Sequence, residues 1–360
     1  MERGEEKSTP HRLDSAEAIA AAAAMGDNGA ASLARAQSVT ALFQGMERIF
    51  ASHEEPVRAC NQLLRDVEGF FNFTRLDNIE DRAGRLPTVK AGLAGTARPE
   101  QVEAVTGAHY GGLFAGFSPS SYRDEPVRLL SERLERNGIP LAEIAGRRIL
   151  DAGCGGGRYT IAWRLLGAAE VVGIDISAVN IATATQRLAE ARIDGVRFME
   201  GNVLALPFPA ADFDLVFSNG VLHHTVDWRR GIDELLRVLK PGGLGWLYLI
   251  ENPGGLFWEM IEIMRQIMAN EEHRLAREIL GLMGLPANRI FYMLDHVLAP
   301  VNLRLTPQEI EEALGDSGAV AVQRLARGTD FDRIERLHRG EPYASVKYGV
   351  GENRYIFSRR

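Results

Sequence analysis

The sequence predicts a doubly wound α/β domain, and three observations carry that prediction. Ile149-Leu150-Asp151 is a short apolar strand that ends in an acid. It runs into the glycine-dense turn Ala152-Gly153-Cys154-Gly155-Gly156-Gly157 and then the helical pattern Tyr159 to Leu166. A second apolar strand, Val171-Val172-Gly173-Ile174-Asp175, follows and also ends on an acid. Strand, glycine turn, helix and strand make the nucleotide-binding half of such a domain, with ligands held at the carboxyl ends of the strands.

A tight strand-to-helix turn needs positive φ and close approach of backbone to ligand, and glycine supplies both at the least steric cost. The spacing from Asp151 is D-x-G-x-G-x-G. The dinucleotide fingerprint is G-x-G-x-x-G and cradles a pyrophosphate; an acid at the loop entrance would repel one. The same acid suits a ligand with an ammonium group, such as the methionine part of S-adenosylmethionine. Asp175, at the end of the next strand, is placed to take two ribose hydroxyls. On these residues the chain resembles the class I S-adenosylmethionine-dependent methyltransferases. That resemblance implies a Rossmann-like, seven-stranded sheet.

Residues 1 to about 13 are charged and expected to be disordered. From 14 to about 72, apolar residues recur at helical spacing, as in Leu42, Phe43, Met46, Ile49 and Phe50. Gly26-Asp27-Asn28-Gly29 separates the first helix from the second. Residues 74–107 are rich in glycine, proline and charge, which predicts a linker, an irregular cap or plain surface loop. Asp124 to Asn137 is an amphipathic helix closed by Gly138. Strands are expected near 147–151, 170–175, 196–200, 213–218 and 244–250, with helices between them. Leu256 to Met268 and Glu271 to Met283 read as two methionine-rich helices. Thr306-Pro307-Gln308-Glu309 opens another, with Thr306 as cap and Pro307 at the first position. Val320 to Ala326 and Arg354 to Ser358 close the sheet as an antiparallel pair at its edge. The chain thus divides into a helical N-terminal extension (1–107), a cofactor-binding core (108–252), a helical lid or substrate insertion (253–316) and a strand pair completing the sheet (317–360).

The chain has 360 residues, 46% of them hydrophobic, enough for a sizeable core. Its net charge of −7 argues against a general nucleic-acid binder, which needs a basic field. Two cysteines, Cys60 and Cys154, imply no disulfide framework and fit a reducing, cytoplasmic setting. No apolar run reaches the roughly eighteen residues of a membrane span, so no membrane contact is expected. No metal-ligand spacing stands out, since His223 and His224 are adjacent rather than one helical turn apart. The long apolar helical stretch outside the core suggests a homodimer.

The resemblance implies a role for particular residues. Gly153, Gly155 and Gly157 would form the loop under the methionine part of the cofactor, with Cys154 a small filler within it. Asp151 would anchor the ammonium group, directly or through water. Asp175 would take the ribose, or else cap the next helix, although Ser177 is the better cap. Ile176 would pack on the adenine. The family often has an acid where Asn202 stands, before Val203; the Asn202 carbonyl can still accept from the adenine amino group. Leu204 to Phe208 would close over the adenine edge. Asp212 to Gly220 resembles the family's fourth-strand motif, and Arg237 to Gly243 the helix-to-strand turn of ubiquinone- and menaquinone-type methyltransferases. The resemblance covers about residues 108–251 closely.

Ser218 and Asn219 are expected at a strand's carboxyl end, beside the sulfonium. His223 and His224 would begin the next helix. One of them could serve as general base, since its pKa lies near neutrality; the alternative is a pair that caps the helix and packs beneath the cofactor. Displacement requires the nucleophile in line at about 3–3.5 Å and water kept out, so 253–310 and 108–125 are expected as a lid. Trp258, Met260, Met264, Phe291, Tyr292 and Met293 could line an adaptable acceptor pocket, or be ordinary helix core or a dimer face. Tyr110, Tyr122, Tyr292, His296, Arg304, Tyr343, Lys347 and Tyr348 are further substrate candidates. The expected activity is methyl transfer to a small molecule carrying an O, N, S or C nucleophile. The other readings are an RNA or protein methyltransferase, a nicotinamide-dependent oxidoreductase and a non-catalytic cofactor-binding scaffold.

Overall fold

The computed structural model of the chain describes residues 13–26, 29–76, 99–110, 117–269 and 271–360. Expectations for residues 1–12, for Asp27 and Asn28, for 77–98 and for 111–116 lie outside the described residues. Among the described residues there are seven strands: β1 (Arg148–Ala152), β2 (Glu170–Asp175), β3 (Val196–Glu200), β4 (Phe213–Asn219), β5 (Leu239–Leu249), β6 (Ala319–Arg324) and β7 (Asn353–Arg359). The helices before the sheet are α1 (Ala16–Ala23), α2 (Gly29–Ala51), α3 (Pro56–Leu76), α4 (Pro99–Tyr110) and α5 (Glu125–Arg136). Within the sheet region run α6 (Arg158–Leu165), α7 (Ala178–Ala191) and α8 (Trp228–Val238). After β5 come α9 (Gly255–Ile267), α10 (His273–Leu282), α11 (Ala287–Val297), α12 (Pro307–Asp316), α13 (Arg333–His338) and α14 (Ala344–Tyr348).

The sheet order is β3-β2-β1-β4-β5-β7-β6. The first five strands are parallel, and their central members read as continuous apolar runs because helices cover both faces. β7 enters antiparallel between β5 and β6, so of the expected edge pair β6 alone forms the edge. The chain leaves β1 in one direction to β2 and returns on its other side as β4. At such a switch point a crevice opens at the carboxyl ends, between the diverging connections. Asp175 and Asn219 end β2 and β4 there.

Some bounds differ from expectation for physical reasons. β5 begins at Leu239, because Leu239 pairs with Phe213 and Pro241 with Arg359 across register shifts; the expected glycine-proline turn is a bulged part of the strand. The segment around 99–110, read as irregular, is helical. Thr306 makes the expected reciprocal cap with Glu309.

The N-terminal extension and the insertion share one hydrophobic core. Leu42, Phe43, Met46 and Leu64 pack with Trp258, Met260, Ile261, Met264 and Met293. Phe43 meets Tyr292 edge-on at 5.5 Å, and Phe50 meets Tyr348 in the same way. Arg35 is paired with Glu271 at 2.7 Å, both buried. The apolar helical stretch that suggested a homodimer is therefore covered within the chain. No described helix is long and apolar enough to cross a membrane.

A buried ionic cluster ties α5 to β7. Asp332 accepts from Arg133 Nε and Nη2 at 2.8 and 2.9 Å and from Arg354 Nη2 at 3.0 Å. The two guanidiniums hold its carboxyl well below the usual carboxylate range, against the opposing effect of burial. Asp332→Asn leaves two buried cations without their shared partner. The expected loss of folding stability is about 3–5 kcal/mol, read as a drop in urea midpoint; a midpoint matching the parent's would show that the cluster adds nothing.

Candidate active site

A cavity of about 770 Å³ runs from the carboxyl ends of β1, β2 and β4 to the underside of the helical layer. Its floor is the glycine loop. Gly153 N and Cys154 N donate to Ile174 O at 2.8 and 2.9 Å, which pins the loop across β2. Gly153 has φ +84°, and a Cβ there would lie 2.4 Å from Val221, so a side chain would be both strained and in collision. Gly157, at φ +83°, is packed against Phe198 and Ala184 and supports the loop from below.

Asp175 stands on the cavity wall. Its Oδ2 accepts from Gly155 N at 2.8 Å, and its Oδ1 from Ser177 N at 2.9 Å. The residue thus organises both the loop and the turn into α7, while Ser177 supplies that helix's cap. Burial pushes the Asp175 carboxyl up, against these hydrogen bonds. Ile176, Asn202, Val203, Cys154, Gly155 and Asn219 share the wall. Asn202 Oδ1 accepts from Leu204 N, and its Nδ2 donates to Glu103 Oε1, both at 2.9 Å.

Asp151 does not reach the cavity. It is 2% exposed, and its Oδ2 accepts from Thr160 Oγ1 of α6 at 2.6 Å. Burial first, then Asp175 nearby, raise its carboxyl to about 7. It fastens the start of the loop to α6; of the two modes expected for it, direct or through water, it offers no direct ammonium contact from the cavity wall.

His223 and His224 do not begin a helix. They lie in a 3₁₀ turn, Leu222–His224, and α8 starts at Trp228 under its own cap, Asp227. The reason is long-range: His223 O accepts from Leu303 N at 2.9 Å, and His224 Nδ1 lies 2.6 Å from Val301 O. A carbonyl accepts, so Nδ1 carries the hydrogen and Nε2 is left with its lone pair. Nε2 is 3.8 Å from Asp295 Oδ1, which also accepts from Tyr110 OH at 2.7 Å. Burial lowers both histidines' pKa values, with His223 held well below the usual imidazole range. His296 falls to about 4 for the same reason; its Nδ1 donates to Tyr292 O at 2.8 Å.

These three lowered values give a stability prediction. The unfolded chain takes up the protons first, near the ordinary histidine pKa, so stability is full above about 6.5 and is lost as pH falls toward 4. His296 alone accounts for ~3 kcal/mol over that range. The raised carboxyls of Asp151 and Asp175 act in the opposite sense over the same range, so the check compares the parent with His296→Gln: a change in urea midpoint between pH 7.5 and pH 5 that is the same in both proteins would contradict it.

Of the substrate candidates, Tyr110, Tyr292, His296 and Tyr348 line the cavity. Four do not. Lys347 Nζ donates to Phe50 O and Ser52 O at 3.0 and 3.1 Å, closing the carboxyl end of α2, where a cation is favoured. Arg304 pairs with Glu262 at 2.6 Å and lies over the Trp258 ring. Tyr343 is 43% exposed, at a φ +59° corner before α14. Tyr122 is buried and donates to Gly156 O, clasping the loop from behind. Trp258, Met260, Met264 and Met293 are helix core, whereas Phe291 and Tyr292 face the cavity.

Sequence reasoning missed Glu103 and Thr106 of α4, Tyr248 of β5 beside Asn219, and Arg333 and Arg354. Glu103 lay in a segment whose composition read as loop. Arg333 and Arg354 carry no local pattern that separates them from solvated arginines. Arg333 Nε donates to buried Glu251 at 2.7 Å, and the guanidinium lies 4.6 Å over the Phe257 ring.

Residues 150–247, which span β1 to β5, match a family described as a methyltransferase domain. The chain is 37% identical over 141 residues to the 27-O-demethylrifamycin SV methyltransferase of Amycolatopsis mediterranei, covering 38% of this chain and 51% of that one. It is 42% identical over 123 residues to the demethylmenaquinone methyltransferase of Thermus thermophilus, 34% of this chain and 54% of that one. Over 211 residues it is 32% identical to the trans-aconitate 2-methyltransferase of an Azoarcus species, 58% of this chain and 76% of that one. The chain belongs to the S-adenosylmethionine-dependent methyltransferases. It spans about half the length of the first two of these relatives.

The cavity of this methyltransferase fits the family's cofactor. A carboxylate stands at the end of β2, Ile176 and Val203 offer an apolar wall to a base, and the loop at Gly153 admits no side chain. Its volume lies within the range of small-molecule sites.

Proposed function

We propose that this methyltransferase acts on a small-molecule acceptor, with Gly153, Cys154, Gly155, Asp175, Ile176, Asn202, Val203 and Asn219 holding the cofactor and His224 acting as general base. What supports the reading is that one cavity carries both halves: the β1–β2–β4 wall at one end, and the Tyr110–His224–Asp295 group with the aromatic helical layer at the other. S-adenosylmethionine, when bound, supplies an electrophilic methyl group on a sulfonium.

The rest falls to the chain. His224 is neutral near pH 7, and its Nε2 can take the proton of an acceptor hydroxyl or other protonated nucleophile. Asp295 stands where it stabilises the imidazolium that forms. Tyr110 holds Asp295 in place. Phe50, Phe257, Phe291 and Tyr292 give the acceptor apolar, aromatic walls, and Arg333 and Arg354 bring two guanidiniums to the same cavity. His224 is 6% exposed beneath the helical layer, which favours an acceptor that enters the cavity whole over a site on a macromolecule.

The test is calorimetric titration with S-adenosylmethionine and, in parallel, NAD, followed by radiolabel transfer to a panel of phenols, small acids, amines and thiols. Binding of S-adenosylmethionine alone, with transfer to one acceptor class, is expected. Binding of NAD alone, or of neither by the folded protein, would refute the reading. Cofactor binding with no transfer to any acceptor would favour a scaffold.

A further inference from the structure

Helix α4 lies along the cofactor half of the cleft. Glu103, Thr106 and Tyr110 all face the cavity, at the three- and four-residue spacing that puts side chains on one helical face. Gly107 lies between them, against Ile176: a Cβ added there would be 3.7 Å from Ile176 Cγ2. That is an ordinary contact distance, so this turn of α4 packs directly on the apolar wall. Toward its C-terminal end, Tyr110 holds Asp295 of the reacting group. Toward its N-terminal end, Glu103 holds Asn202, the residue in the loop after β3.

Both polar ends of Asn202 are engaged within the chain. Its Oδ1 accepts from the Leu204 backbone, and its Nδ2 donates to Glu103 Oε1. Asn202 itself carries no charge; the acid at this place comes from a different segment and stands beside it. Glu103 Oε1 is the atom bonded to Asn202, which leaves the rest of the carboxylate for a ligand on the cavity wall.

We propose that Glu103 of α4 is the base-specificity residue of the cofactor site, accepting a hydrogen bond from the exocyclic amino group of the adenine in place of the acid absent at position 202. The inference rests on the methyltransferase reading above. A carboxylate only accepts, so it rewards an amino group and repels a carbonyl oxygen at the same ring position. Asn202 acts as a positioning residue that fixes the carboxylate through Nδ2.

Calorimetry on the full chain with S-adenosylhomocysteine and its 6-oxo counterpart, S-inosylhomocysteine, tests this without turnover. The parent protein is expected to prefer the amino ligand by about tenfold or more, since a mismatched base leaves a buried acceptor unpaired. In Glu103→Gln, whose amide can donate as well as accept, that preference is expected to shrink to about threefold or less, through tighter binding of the inosyl ligand. Glu103→Ala should weaken the adenosyl ligand without strengthening the inosyl one. An unchanged preference in Glu103→Gln overturns the inference, as does an equal loss for both ligands, which would mean that Glu103 only packs α4. If the parent protein binds neither ligand, the methyltransferase reading fails and this inference falls with it.

Discussion

Asp175→Ala is expected to weaken S-adenosylmethionine binding by about 100-fold or more while the chain stays folded. Each charge-assisted hydrogen bond to a ribose hydroxyl is worth about 1.5–3 kcal/mol, and the carboxylate is placed to accept two. The same carboxylate receives Gly155 N and Ser177 N, so its removal also loosens the loop that faces the methionine part. The fold should survive, because burial opposes the ionised carboxyl and Asp151, also buried, lies close enough to feel its charge. Loss of one of two neighbouring buried acids relieves that repulsion. Calorimetry together with a thermal midpoint checks both halves. Affinity within about threefold of the parent's would remove Asp175 from the ribose role.

His224→Gln is expected to lower kcat by about 10²–10⁴-fold, with KM for the acceptor little changed. The amide keeps a polar group near Asp295 but cannot take a proton. The pH profile separates this from a loss of packing. In the parent, kcat should hold down to below pH 6.5 and then fall, because burial lowers the His224 pKa and the base works only when neutral. In the variant that acid limb should vanish, and the remaining rate should rise with pH as the acceptor ionises unaided. An acid limb that persists in His224→Gln would assign the proton to another group, and His223, whose pKa burial lowers further, is the nearest alternative.

What could be read from the chain alone was set by neighbours in sequence. The strands at 170–175 and 196–200 emerged at their expected bounds, the first as an apolar run, the second as an edge strand that sets Val196 and Phe198 on one face and Arg197 on the other. The glycine turn and Asp175 were legible because positive φ and a strand-end acid are local requirements. So was the cap at Thr306, whose partners lie three residues apart. The tertiary structure decided whatever depends on a partner far away in sequence. The histidine pair became a 3₁₀ turn because the backbone at Val301 and Leu303 claims it. Lys347, nearly three hundred residues from the end of α2, became that helix's cap rather than a substrate ligand. Glu103 entered the cleft because α4 packs on the wall at Ile176 and Asn202, contacts no local pattern announces. The insertion and the N-terminal extension, separate in sequence, merged into one layer because neither could bury its apolar face alone. The glycine loop and Asp175 are therefore written in short-range chemistry, and the rest of the cavity in long-range packing.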